Sequence, residues 1–393
     1  MAAILLGITI LSNCVNRPRK LLSDEKGRQF AGPEACKNCH RSIYDSFIQT
    51  NHFKTSAAAS RATIKGPFNT DTSFYRYTYS DLVALEERAG MLYQVEYYGK
   101  KEKELHPFDI TIGSGKLGQS FLYWKNTGLY QLPVSWFSGA AQWSNSPGFP
   151  DHNVQFNRVV TYRCLECHAT FAERDLSGNA GNPNEGVLFG ITCEKCHGPA
   201  QEHIRFHESN PSAKEGRFII SPAKFNRTQK LDFCALCHSG SREVKGQAFH
   251  FSPGDSLDSY LGPAPSMKNG QHPDVHLNQY SLLKESKCFL YSVDLTCNSC
   301  HGPHQEERGN LPLFSQRCQG CHNSGQCQFI DQHPEKKPVM ENNCIDCHMP
   351  VKESKMLTIQ LQNGSPKKPA LIRSHLIKVY PEEAERFVRS LPR

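Results

Sequence analysis

Seven copies of one short string, Cys-x-x-Cys-His, run through this 393-residue chain. They stand at Cys36/Cys39/His40, Cys164/Cys167/His168, Cys193/Cys196/His197, Cys234/Cys237/His238, Cys297/Cys300/His301, Cys318/Cys321/His322 and Cys344/Cys347/His348. Two thiols three positions apart lie close together on one helical turn, so both can form thioethers to the two vinyl groups of a single porphyrin. The histidine directly after the second cysteine then reaches the iron as its proximal ligand. A disulfide framework would split the pairs between partners and leave the recurring histidine unexplained. A zinc ribbon would spend two Cys-x-x-Cys pairs on each metal, with no fixed trailing histidine. The pattern predicts seven covalently attached c-type haems. Of the seventeen cysteines, Cys14, Cys288 and Cys327 are left over; the last two are expected to form one disulfide or to stay as buried thiols.

Composition agrees with a chain that needs its cofactors to fold. Hydrophobic residues make up 38% and the mean hydropathy is −0.55, low for a chain of this length with one large apolar core. Seven apolar porphyrin plates would replace the missing side-chain core. The formal charge of +7 would be met by roughly −14 from the haem propionates and about +7 from the ferric porphyrin cores. The Lys/Arg surplus is therefore assigned to propionates, and nucleic acid is not expected as a partner.

The first residues bear on compartment. Ala2 to Leu11 is an apolar run of ten residues, too short to span a bilayer and suited to a signal-peptide core. It ends Leu11-Ser12-Asn13-Cys14, which resembles a bacterial lipobox with Cys14 as the lipidated residue, although asparagine before the cysteine is a departure. A lipoprotein, a plain secretory signal and an uncleaved anchor all fit, and all three imply export. The expected location is periplasmic or outer-membrane-associated, with the cell surface open.

The motifs divide the chain unevenly. Residues 1–14 form the signal and lipobox region, and residues 15–60 hold the first motif. Residues 61–160 contain no cysteine but several aromatic, β-branched runs with rough alternation, among them Phe74 to Tyr79 and Met91 to Tyr98. Residues 161–350 carry the other six motifs, and residues 351–393 form a tail expected to fold back on the haems. Gly198-Pro199 and Gly302-Pro303 directly follow motif histidines, which marks short attachment helices that stop at once. The expected fold is mainly α and coil wrapped around stacked haems, with a small antiparallel β insert near residues 70–140.

The second axial ligand decides what each iron can do. Eighteen histidines leave eleven outside the motifs, enough for every iron to be bis-histidine. Such an iron has no place for substrate and suits electron transfer. The candidate distal ligands are His52, in a segment expected to be helical from Ser42 to Ala59, His203 and His207 on one helical face, His276, His304 and His375. His106, His152, His250, His272 and His333 are read as ordinary surface or core residues.

At these residues the chain resembles a known family. Cys36-x-x-Cys39-His40 followed by His52, the segment Arg163 to Ala169, the two Cys-x-x-Cys-His-Gly-Pro strings and the closing Asn343 to Pro350 look like the cytochrome c-554/c-prime group of bacterial multihaem cytochromes. Hydroxylamine oxidoreductases and pentahaem nitrite reductases belong to the same wider class. The resemblance implies close-packed haem pairs, electron transfer and mostly bis-histidine ligation. The nitrite reductases use a Cys-x-x-Cys-Lys site, and none is present here. Hydroxylamine oxidoreductase has eight haems and a tyrosine cross-linked to the catalytic one; this chain has seven motifs and no tyrosine that can be given that role.

The expected function is therefore that of an exported seven-haem wire, passing single electrons between redox partner proteins or membrane quinol-linked donors and an acceptor. The alternative is a multihaem oxidoreductase acting on a small nitrogen or sulfur compound at one five-coordinate haem, the best place being the first haem after the β insert.

Overall fold

The computed structural model describes residues 21–174, 183–267, 273–323 and 327–391. Cys14, the signal-peptide region and His272 lie outside the described residues. Among the described residues no helix is long and apolar enough to cross a membrane.

Antiparallel strands dominate the stretch before the second motif. Phe74–Arg76, Asp81–Arg88, Met91–Tyr98 and Lys101–Pro107 form a four-stranded meander. Its central hairpin turns on Ala89 (φ 49°) and Gly90 (φ 80°), the doubly positive geometry that matches the twist of the flanking strands. A seven-stranded sheet runs from Ser56–Ala58 through Ile110–Ile112, Gly118–Lys125 and Gly128–Gln131 to Arg158–Val159, with Val134–Phe137 paired to Gly118–Lys125 and Gln142–Asn145 paired in turn to Val134–Phe137. Alternation puts Val83, Leu85, Phe121 and Tyr123 inside, where they meet Phe68, Phe108 and Trp143 in one aromatic core. Gln94, fully buried, joins the two sheets: its Nε2 donates to the Val134 carbonyl at 2.6 Å and its Oε1 accepts from the Val134 amide at 3.0 Å.

This architecture corrects the expectation of a mainly α and coil chain. Helix accounts for 30% and strand for 23%, in several antiparallel sheets. Strands run from Ser56 to Val159, well past 70–140. Two further hairpins lie among the motifs and in the tail, Ala169–Ala172 with Val187–Phe189 and Val351–Ile359 with Lys368–Arg373. The physical reason lies in the motifs themselves. A covalently held plate needs only one turn of backbone to present its thiols and histidine, so Cys193–His197 and Cys344–His348 are five residues each. The longest attachment helix, Arg227–His238, has twelve. The helix expected over 42–59 is confined to Arg41–Phe47, followed by a single turn at Phe53–Thr55 and the strand Ser56–Ala58.

A buried carboxylate ties the first motif to the third. Glu194 is 2% exposed. Its Oε1 accepts from the Ala31 amide at 2.8 Å and the Ala200 amide at 2.9 Å, and its Oε2 from the Gly32 amide at 2.8 Å. Burial pushes its pKa above the ordinary value, and the three amides pull it back. Glu194→Ala would strand three backbone donors, so denaturant titration should show a loss of about 2–4 kcal/mol. An unchanged midpoint would show that water replaces the carboxylate at no cost.

Candidate haem sites

Each motif sits on or beside a short helical turn, in places capped by a side chain. Asn226 caps Arg227–His238 by accepting from the Gln229 amide, with Gln229 reaching back to form a capping box. Asn343 accepts from the Asp346 amide at the start of Cys344–His348. The Cys193–His197 turn ends on Gly198 at φ 73°, a conformation that costs glycine little. None of the fourteen motif cysteines is in a disulfide. Cys288 and Cys327 are also free and partly buried, so they stay as thiols and form no bridge.

Burial of the motif thiols is uneven. Cys39, Cys164 and Cys321 are exposed, whereas the other eleven motif cysteines are partly buried. The sixth motif shows the cause. Cys318 lies within the helix Leu311–Gln319, and Cys321 stands beyond its cap at Gly320, where the chain has already turned outward. His322 is exposed with it. The first, second and sixth motifs thus present one thiol each at the surface.

Several imidazoles are already oriented by their Nδ1 atoms. His197 donates Nδ1–H to the Ile220 carbonyl at 2.9 Å, His348 to the Lys378 carbonyl at 3.0 Å and His203 to the Arg217 carbonyl at 2.7 Å. His168 Nδ1 lies 3.0 Å from Thr55 Oγ1. A carbonyl at Nδ1 fixes the tautomer that leaves the Nε2 lone pair for a metal. Thr55 and these carbonyls went unrecognised in the sequence, because a backbone oxygen leaves no signature in residue type.

The histidine pairs test whether the residues fit haem iron. Two imidazoles on one iron hold their ring centres about 6.2 Å apart, given metal–nitrogen bonds of about 2.0 Å and about 1.1 Å more to each ring centre. His52 and His238 are 6.1 Å apart, His197 and His304 are 6.1 Å apart and His301 and His375 are 6.2 Å apart. Each pair joins one motif histidine to one outside the motifs, and each spacing leaves room for a metal between the rings. His276 lies close enough to His168 to help depress its pKa, after the larger effect of burial. His52 and His375 are held down to about 4 by burial first and neighbouring histidines second. They are neutral at ordinary pH, as ligands must be. The residues fit the group.

The remaining candidates behave differently. His203 and His207 meet edge to face, ring centres 4.6 Å apart, on the helix Gln201–Ser209, and His207 Nε2 is buried without a hydrogen-bond partner. Among the described residues no second histidine ring lies against His40, His168, His322 or His348. His106 packs between Tyr123 and Phe156 in the β region and bonds Glu104 at 2.6 Å. His250 pairs with Glu25, and His333 lies 3.8 Å from Glu335.

Cysteines of different motifs also lie near one another: Cys36 and Cys193, Cys167 and Cys237, and Cys234 and Cys297 are close enough to shift each other's ionisation.

Residues 35–72 and 141–198 match the family described as cytochrome c554 and c-prime. The multiheme cytochrome MtrA of Shewanella baltica (strain OS185) is 26% identical over 196 residues, which are 46% of this chain and 56% of that protein. The chain thus spans a little over half the length of that curated relative. The crystal structure of the outer cell wall cytochrome OcwA aligns over 91% of this chain and 81% of its own, with a TM-score of 0.56 at 17% identity. The undecaheme cytochrome from the S-layer of Carboxydothermus ferrireducens aligns at a TM-score of 0.39 and 15% identity, over 79% of this chain and 44% of that one, too slight a likeness to bear on the fold. Paired imidazoles at iron-spanning distance, recurring thioether motifs and these relatives converge: the chain is a multihaem c-type cytochrome.

Proposed function

We propose that this cytochrome is exported, binds seven c-type haems through its fourteen motif cysteines and seven motif histidines, and passes single electrons along them between redox partner proteins. Bound haem iron cycles between ferric and ferrous states with little change in geometry when both axial positions are filled by histidine. The observation that carries this reading is the spacing of the three histidine pairs. On it, His52 serves the site of His238, His304 that of His197 and His375 that of His301; His276 remains the candidate for the site of His168. His203 or His207 remains for another site. The chain's own contribution is to desolvate these imidazoles, hold them neutral and fix their tautomers.

The test is the spin state of the ferric protein. Electron paramagnetic resonance should show low-spin signals from most irons. A stoichiometric high-spin haem that binds nitrite, hydroxylamine or carbon monoxide would replace this reading with the enzyme. The lipid anchor is tested separately: labelled palmitate should enter the protein, and Cys14→Ala should release it to the soluble fraction with its haem intact. A fully soluble protein without an acyl group would rule the anchor out and leave export standing.

A further inference from the structure

His304 stands in the loop 302–310, between the fifth motif and the helix Leu311–Gln319. It faces His197 with ring centres 6.1 Å apart and ring planes 10° from parallel. The other two pairs are turned further, by 67° at His52 and His238 and by 29° at His301 and His375. His197 owes its orientation to the Ile220 carbonyl, 2.9 Å from its Nδ1. Among the described residues no such carbonyl holds the His304 ring, which also packs edge to face on Phe47 at 6.2 Å. Its position therefore depends on the backbone that carries it.

That backbone has one internal anchor. Glu307, 9% exposed, is the only buried residue of 302–310. Its Oε2 accepts from the Gly302 amide at 2.8 Å, so the carboxylate closes the loop across Pro303 and His304. Arg317 grips the same carboxylate with both prongs, at 2.7 Å to Oε2 and 2.6 Å to Oε1. It also donates to the Cys300 carbonyl at 2.6 Å. A planar guanidinium with three acceptors leaves the carboxylate a single position. Gly302 belongs to the fit, because a β-carbon there would lie 2.6 Å from Glu307 Oε1. The other ties of the loop are exposed. Ser46 Oγ donates to the His304 carbonyl at 2.9 Å, and Asn51 donates to Glu306 through its amide at 3.1 Å and its side chain at 3.0 Å. Exposed hydrogen bonds exchange readily with water and hold position weakly.

We infer that Glu307 and Arg317 form a clamp that positions His304 as the distal ligand of the iron held by His197 and keeps the two rings parallel. The clamp rests on the histidine-pair reading above. Neither residue touches the iron; both act through the backbone of His304. The ring angle has an electronic consequence. Parallel imidazoles donate into the same iron d orbital and separate it from its neighbour, so the low-spin ferric resonance is rhombic. Crossed imidazoles treat the two orbitals alike, and the resonance becomes strongly anisotropic.

Electron paramagnetic resonance of the ferric full-length protein tests the clamp. His304→Ala should turn one haem high-spin and identify, by difference, the rhombic signal of the His197 site. Glu307→Gln should keep that haem low-spin but move its signal toward the crossed-ring form. Arg317→Gln should do the same, and Arg317→Lys, which keeps the charge and loses a prong, should recover part of the parent signal. Carbon monoxide gives a second readout, since in the reduced protein it binds only after His304 has left. Its binding at this site should be about tenfold faster in Glu307→Gln than in the parent, the factor that one weakened charge-assisted contact supplies. Gly302→Ala disturbs the same contact without changing charge, and it decides the outcome if Glu307→Gln takes up no haem. Glu96→Gln breaks a comparably buried ion pair with Lys103 in the β meander. It should lower the thermal midpoint and leave both readouts unchanged. Suppose His304→Ala is high-spin, yet Glu307→Gln (or Gly302→Ala in its stead) keeps the parent signal and carbon monoxide rate. That result overturns the clamp alone. No high-spin haem in His304→Ala overturns the ligand reading and the clamp with it.

Discussion

Replacing Cys234 and Cys237 together by alanine should unfold much of the haem-bearing region, not merely remove one cofactor. These cysteines lie on the longest attachment helix, Arg227–His238, whose Leu231, Ala235 and Leu236 are buried. Cys167, Cys196 and Cys297 of three other motifs lie near enough to shift the ionisation of its cysteines, and His52 reaches it from the far side of the first motif. Loss of a plate leaving about 400 Å³ of void, at about 24 cal/mol per Å³, amounts to about 10 kcal/mol before collapse relieves part of it. That is comparable with the whole stability of a folded domain, about 5–15 kcal/mol. The pyridine haemochrome assay should return seven haems for the parent protein and at least one fewer for the variant, with cooperative unfolding lost. One haem fewer with an unchanged thermal midpoint would show that the fourth site is not central. The same change at Cys344 and Cys347 should be milder. That site packs beside Pro381–Ser390, and its loss should chiefly loosen this helix, which packs Val388 against Ile330 and Met340.

His375→Ala and His52→Ala should each turn one low-spin haem per chain high-spin. Both side chains face a motif histidine across an iron-sized gap, at 6.2 Å and 6.1 Å. Removing the distal nitrogen opens one coordination position, so the reduced variant should bind one carbon monoxide per chain. The potential of that haem should rise, because losing a strong nitrogen donor disfavours the ferric form. His106→Ala is the control, since its ring sits between Tyr123 and Phe156, away from any motif histidine. Low-spin spectra in both variants would mean that other groups supply the sixth ligand and that the histidine pairs only pack.

The candidate site was legible to different depths at different residues. His52, His304 and His375 could be singled out from their places in the sequence, because the chain needs second ligands and these histidines follow motifs or stand alone in a tail. Which motif histidine each one faces could not be read. His304 follows the fifth motif yet pairs with His197 of the third, and His52 follows the first yet pairs with His238 of the fourth. Glu194 reads in the sequence as one more acidic residue between two cysteines. Only the folded chain surrounds it with the amides of Ala31, Gly32 and Ala200.

The sequence by itself determined the class of cofactor and the points at which the chain offers to hold it, because thioether attachment is local: two thiols and an imidazole within five residues carry all the chemistry it needs. Alternation between Phe74 and Tyr98 likewise marks strands locally. The tertiary structure decided the extent of those strands, since pairing Ser56–Ala58 with Ile110–Ile112 and Arg158–Val159 with Gly128–Gln131 joins segments too short to announce themselves. It also decided which thiols lie at the surface and which imidazoles face one another. Those relations depend on contacts across tens or hundreds of residues, and such contacts are set by packing, which no local pattern records.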